Sequence, residues 1–159
     1  MKRVVALLME NQPGALSRVV GLFSQRGYNI ESLIVAPTED PSLSRLTMTT
    51  EGDSKVVEQI TKQLNKLIDV VKVLDLSQED YIGRELLLIK LPSGKDVESE
   101  VDNLGGIILF KSQELLNAQF VGTSEQEDNI ISILEKVNPL EVVRTGLSGL
   151  SSTSKTLNI

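Results

Sequence analysis

Two asparagines and a Pro-Gly turn are the residues of this sequence best suited to holding a ligand. Asn11-Gln12-Pro13-Gly14 joins the apolar run of residues 3–9 to a segment with helical periodicity, and Asn29 follows that segment behind Arg26-Gly27. A turn that feeds straight into a helix presents unpaired backbone N–H groups at the positive end of the helix dipole. Gly14 admits close approach to the backbone and takes angles that other residues avoid. Asn11 offers both a donor and an acceptor. No Lys or Arg lies within residues 10–14, so the turn suits the carboxylate and ammonium of a free amino acid better than a phosphate. Leu8, Ile30 and Leu33 are available as apolar walls for a small aliphatic side chain. Pattern alone still favours the plainer reading, a turn and a helix stop, over a ligand site.

What is missing narrows the chemistry. The 159 residues include no His, no Cys and no Trp. A Ser-His triad, a thiol nucleophile and an ordinary zinc site are therefore excluded, and neither a P-loop nor a Gly-x-Gly-x-x-Gly fingerprint occurs. The adjacent acids Glu39-Asp40, Glu79-Asp80 and Glu127-Asp128 read as solvated surface rather than as metal or acid–base pairs, and no catalytic residue is expected. The net charge of −6 argues against nucleic acid or an anionic membrane as partner. No window approaches the roughly 18 apolar residues of a spanning helix. The basic start, Met1-Lys2-Arg3, leads into a run that breaks at Glu10, which reads as a strand rather than a signal peptide. Without cysteine no disulfide forms, and a cytoplasmic location is expected.

The elements that must position the turn come from periodicity. Residues 3–9 form a continuous apolar run, as a central strand requires. Leu16, Val19, Val20 and Phe23 make one apolar stripe of a helix that ends at Arg26-Gly27. Residues 28–36 and 43–50 read as strands on either side of the turn "PTEDPS", the second alternating and Thr-rich. Val56, Ile60, Leu64 and Leu67 mark a second helix opened by Gly52-Asp53, and residues 69–76 close as a strand. The order is βαββαβ. It recurs: strand 85–91, a thin helix 95–104 held by Val97, Val101 and Leu104, strands 106–111 and 115–121, a helix capped by Thr123 or Ser124 that buries Ile130, Ile133, Leu134 and Val137, and strand 140–147. The sequence thus predicts an α+β chain of two ferredoxin-like βαββαβ domains in tandem, 1–76 and 84–147, with a linker at 77–83 and a flexible Ser/Thr-rich tail at 148–159.

A βαββαβ domain lays its strands in the order 4-1-3-2, which makes residues 28–36 an edge. That strand is apolar, with Glu31 as its one charge. Pairing with its own copy would cover it, so a homodimer through residues 28–36 is expected. Across such a pairing, Asn29 of one chain can approach the Asn11–Gly14 turn of the other.

The runs Gly14-Ala15-Leu16-Ser17-Arg18, Phe23-Ser24-Gln25-Arg26-Gly27-Tyr28-Asn29-Ile30-Glu31-Ser32-Leu33, Val35-Ala36-Pro37-Thr38 and Leu43-Ser44-Arg45 resemble the N-terminal ACT domain of the small, regulatory subunits of acetolactate synthase (acetohydroxyacid synthase). The likeness covers residues 2–76 closely. It continues more weakly through residues 83–90, Gly122-Thr123 and Val143-Arg144-Thr145-Gly146, while residues 92–104 and the tail carry few family features. The resemblance implies a non-catalytic protein that activates a large catalytic subunit and confers feedback inhibition by L-valine. It places thiamine diphosphate, Mg²⁺ and FAD on the large subunit and no cofactor on the small one. Valine in that family sits between two ACT domains, so Asn11, Gly14, Ala15 and Leu16 of one chain and Asn29 and Ile30 of the other carry over as ligand-site positions.

Other functions fit this topology. A free-standing ACT repeat that senses an amino acid for another pathway would share the fold, and only the family-specific runs argue against it. Acylphosphatase-like enzymes need an arginine in the first loop, and residues 10–14 have none. RNA-binding modules of this topology carry exposed aromatics on the central strands; here those strands read Val, Leu, Met and Thr.

Overall fold

The computed structural model describes residues 2–157. The chain divides into two compact units, one of residues 1–83 with 147–159 and one of residues 84–146. No helix among the described residues is long and apolar enough to cross a membrane.

In the first unit, β1 (Lys2–Glu10), α1 (Ala15–Gln25), β2 (Ile30–Pro37), β3 (Leu43–Glu51), α2 (Ser54–Leu64) and β4 (Val70–Asp75) follow the predicted order. The sheet is antiparallel with order β2-β3-β1-β4, so β2 is an edge. Val5, Leu7 and Met9 of β1 pack with Val19, Phe23, Ile60 and Leu64 of the two helices. The buried face of α1 is Ala15, Val19, Leu22 and Phe23. That is a rotation of the predicted stripe, and it leaves Leu16 and Val20 only half-buried. Gly27 has φ +70°. It ends α1 in a Schellman arrangement, with the Tyr28 N–H donating to the Phe23 carbonyl (3.0 Å) and the Gly27 N–H to that of Ser24 (3.2 Å).

The continuous apolar character of β1 has a cause that periodicity did not reveal. Its other face, Val4, Ala6 and Leu8, is covered by Leu76, Leu147 and Leu157. Residues 148–157, part of the stretch 148–159 expected as a flexible tail, instead return to the first unit; residues 158–159 lie outside the described residues. The returning stretch includes strand β9 (Ser148–Ser151), and the Ser152 N–H donates to the Asp80 carbonyl (3.0 Å), just before β5 (Tyr81–Pro92) begins. Arg45 donates to the Gly149 carbonyl (2.7 Å), and Glu79 accepts from Thr153 (3.1 Å) and pairs with Lys155. A β-carbon on Gly149 would lie 2.7 Å from Leu76 Cδ1, so any larger residue here would have to push the buried Leu76 side chain aside. The predicted linker 77–83 is likewise ordered: a short 3-10 turn spans Leu76–Gln78, and β5 already begins at Tyr81.

Deleting residues 147–159 should therefore destabilise the first unit strongly. Each buried leucine contributes about 2 kcal/mol, and the newly bared Val4, Ala6 and Leu8 add to the loss. A fall in melting temperature on the order of 10–20 °C is expected in a thermal scan. An unchanged melting temperature would show the tail to be dispensable.

The second unit repeats the plan with β5, α3 (Lys95–Asn103), β6 (Ile107–Lys111), β7 (Leu115–Gly122), α4 (Ser124–Leu134) and β8 (Glu141–Arg144). Its sheet order, β6-β7-β5-β8, is the same as that of the first unit. Leu87, Ile89, Leu91, Val97, Val101, Phe120 and Leu134 form its core. Thr123 and Gln126 complete the predicted capping box. The last strand is shorter than predicted because Gly146, at φ +82°, turns the chain after Thr145.

Candidate functional site

The turn between β1 and α1 is held from three sides. The Asn11 N–H donates to the Ser42 carbonyl (2.7 Å), and the Asn11 side-chain amide donates to the Pro41 carbonyl (2.9 Å). This uses one of the two Nδ2 donors locally, and Oδ1 is an acceptor, the group an ammonium needs. Gly14 has φ +88° and caps α1 without any side-chain hydrogen bond. Ala15 N–H donates to the Gln12 carbonyl (3.2 Å) and Arg18 N–H to that of Gly14 (3.0 Å). The N–H groups of Gly14, Leu16 and Ser17 have no backbone acceptor among the described residues. Donors left without a backbone acceptor at a helix start are the kind of group that suits a carboxylate.

Sequence reasoning missed the group behind this turn. Asp69, just before β4, is 1% exposed. It accepts from Gln12 Nε2 (2.7 Å) and, in a two-pronged ion pair, from Arg18 Nε and Nη2 (the latter 2.8 Å). Its main-chain oxygen accepts from the Glu10 N–H (2.8 Å). The Arg18 hydrogen bond, followed by that of Gln12, holds the Asp69 carboxyl below the usual carboxylate range. Arg18 folds back over the turn, with Nη1 3.0 Å from where a Gly14 β-carbon would stand. The turn thus lacks a cation in sequence and has one beside it in space. No local pattern gives this away, because Arg18 and Asp69 lie 51 residues apart.

The remaining predicted positions divide. Ala15 is buried in the core, so only its backbone is available to a ligand. Leu16 packs half-buried against the core beside the turn. Leu8, expected as a pocket wall, faces away from the helices against the tail. Ile30 and Leu33 pack against the helix-side core. Asn29 is exposed, and its carbonyl accepts from Thr50 Oγ1 (2.6 Å). Within one chain Asn29 and Ile30 do not meet the turn. Ile30 is level with Thr50 and thereby with Arg3, at the opposite end of β1 from Glu10, about 20 Å away.

The second unit gathers several residues of its family-like motifs around one arginine. Arg144 donates to Glu85 (2.8 Å) and Asp128 (2.6 Å), and Ser124 donates to the other oxygen of Glu85. Glu127 was expected on solvated surface. It is instead 0% exposed, and neither of its oxygens has a hydrogen-bond partner. Its nearest cation is the already engaged Arg144, with Nε at 4.0 Å. Burial, then the charge of Glu85, pushes the Glu127 carboxyl up to about 7. A raised acid favours folding most below its unfolded value of 4.5, and this contribution is lost as pH rises through about 7. Glu127→Gln should abolish that slope and raise stability at pH 8 by on the order of 2 kcal/mol. Chemical denaturation at pH 5 and pH 8 measures it; a mutant no more stable than wild type at pH 8 would contradict the assignment.

Comparison with known proteins bears on the whole chain. Residues 5–72 match the family model described as an AHAS small subunit-like ACT domain, and residues 84–153 match that of the small subunit of acetolactate synthase. The chain is 47% identical over 160 residues to the acetolactate synthase isozyme 3 small subunit of Salmonella typhimurium and 48% identical over 160 residues to that of Escherichia coli, covering 98% of each chain in both cases. The crystal structure of an acetolactate synthase small subunit from Thermotoga maritima superposes with a TM-score of 0.88 at 32% identity, over 98% of this chain and 99% of that one.

Proposed function

Because the chain belongs to the family of acetolactate synthase small subunits, we propose that it is the regulatory partner of a thiamine-diphosphate-dependent large subunit in branched-chain amino acid biosynthesis. It raises the activity of that subunit and makes it sensitive to L-valine. Thiamine diphosphate, Mg²⁺ and FAD belong to the large subunit, and the setting is the cytoplasm. The observation that supports a sensing role is the turn itself. The Gly14, Leu16 and Ser17 N–H groups suit a carboxylate and the Asn11 Oδ1 suits an ammonium, the two charged groups of a free amino acid.

The second half of the site comes from another copy. Pairing β2 antiparallel with its own copy sets the Ile30 end of one strand beside the Pro37 end of the other. By register, Pro37 is level with Ser44 and so with Met9, the end of the sheet from which the turn projects. A two-fold dimer through residues 28–36 therefore brings Asn29 and Ile30 of one chain to the 11–16 segment of its partner. Asn29 supplies a further amide and Ile30 an apolar wall.

Purified alone, the chain should form no acetolactate. Added to a cognate large subunit, it should raise the rate several-fold, and L-valine should reverse the gain. A large subunit whose rate is unmoved by the added chain would sink the proposal.

A further inference from the structure

We infer that Asp69 is a positioning residue for the effector: it acts through Gln12 and Arg18 to hold the 11–14 turn in its binding shape. The inference rests on the valine-site reading and deepens it. The turn has two flanks, and Asp69 grips both. Gln12 lies inside the turn and Arg18 in the first turn of α1, and both donate to the one carboxylate. The Asp69 carbonyl also takes the Glu10 N–H, which anchors the end of β1 from which the turn departs. Glu10 accepts from the same Gln12 amide (2.7 Å), so the side chain that crosses the turn is fixed at two points.

The turn needs such a grip. Gly14 gives α1 no side-chain cap, and the Asn11 bonds to Ser42 and Pro41 hold only the start of the turn. A turn free to fluctuate would scatter the Gly14, Leu16 and Ser17 N–H groups, and the effector would have to order them on binding. Affinity falls by the fraction of time that the competent shape is unpopulated.

The grip is also directional. Arg18 is 47% exposed, whereas Asp69 is 1% exposed. A buried carboxylate presents acceptors from a fixed point, and the more mobile arginine and glutamine come to it. Charge-assisted, two-pronged pairs of this kind carry geometric specificity as well as energy.

The test is L-valine binding by calorimetry on the full chain, for wild type, Asp69→Asn, Arg18→Gln, the double variant and Gly14→Asp. Losing a charge-assisted contact should weaken valine about tenfold in each single clamp variant. The double variant should also lose about tenfold rather than a hundredfold, because both changes break one device. General loss of stability would not give that non-additivity, and Arg18→Lys, which keeps the charge without the fork, should fall between. Arg18 lies at the surface, so its variants keep the test open even if Asp69→Asn folds poorly. Wild-type affinity in Arg18→Gln, with binding lost in Gly14→Asp, overturns the clamp and leaves the valine site standing. Wild-type affinity in Gly14→Asp as well overturns the site and the clamp with it. A hundredfold loss in the double variant also overturns the clamp.

Discussion

Replacing Gly14 with aspartate should leave activation of the large subunit in place and remove its inhibition by valine. Gly14 sits at φ +88°, where a side chain is strained by roughly 1–2 kcal/mol. Its β-carbon would stand 3.0 Å from Arg18 Nη1, so the new carboxylate competes with Asp69 for the guanidinium. It also projects its charge toward the N–H groups proposed for the carboxylate of valine, where like charge and lost space oppose the ligand. Asn29→His attacks the same site from the partner's side, at an exposed position away from the core. An effector shifts an equilibrium only by its differential affinity for two states, so an effector that does not bind cannot inhibit. In both variants the half-inhibiting concentration of valine should rise by about a hundredfold or more, the equivalent of roughly 3 kcal/mol. The readout is acetolactate formation against valine concentration in reconstituted enzyme. Wild-type curves in both variants would refute the site, and loss of activation as well would assign residues 11–33 to subunit docking.

Ile34→Lys should convert a dimer to monomers and take valine binding with it. Ile34 stands opposite Thr47, half-buried, on the sheet face that β1 turns toward the tail. It lies midway along the edge strand, so a lysine there puts two like charges near the two-fold seam of a β2–β2 pairing. Each separated chain keeps its turn but loses the partner's Asn29 and Ile30, so the binding loss is a consequence of dissociation. Light scattering and calorimetry on one preparation link the two. Monomeric wild type at micromolar concentration would remove the shared site, and a dimeric, valine-binding Ile34→Lys would place the seam elsewhere.

Much of the fold was legible in the sequence because it depends on local period and strand order. The apolar run of β1, the alternation of β3 and the Arg26-Gly27 stop each report their element directly, and βαββαβ leaves little freedom in the sheet order. What escaped depends on partners far away in sequence. Leu147 reads as the end of a strand of the second domain and the tail as Ser/Thr-rich and mobile, yet Leu147 and Leu157 cover β1, and two isolated leucines carry no periodicity. The same cover turns Leu8 away from the proposed pocket. Glu127 reads as half of a surface acid pair because its burial follows from α4 packing over Glu85 and Arg144. Asn11 and Gly14 stand out in the sequence as candidate ligand groups by their chemistry alone. Asp69 was not, since its partners Gln12 and Arg18 lie far before it and nothing in the turn points to it.

The claim that one valine site is built from two chains has a direct test in mixed dimers. Gly14→Asp and Asn29→His chains are unfolded together, refolded as a mixture and titrated with L-valine by calorimetry. Neither variant binds alone. In a dimer with one chain of each kind, the intact turn of the Asn29→His chain faces the intact Asn29 of the Gly14→Asp chain, so one complete site is restored. Random pairing makes about half of the dimers mixed, and the mixture should regain about a quarter of the wild-type sites with wild-type affinity. A mixture that binds no more valine than the separate variants would contradict the shared site.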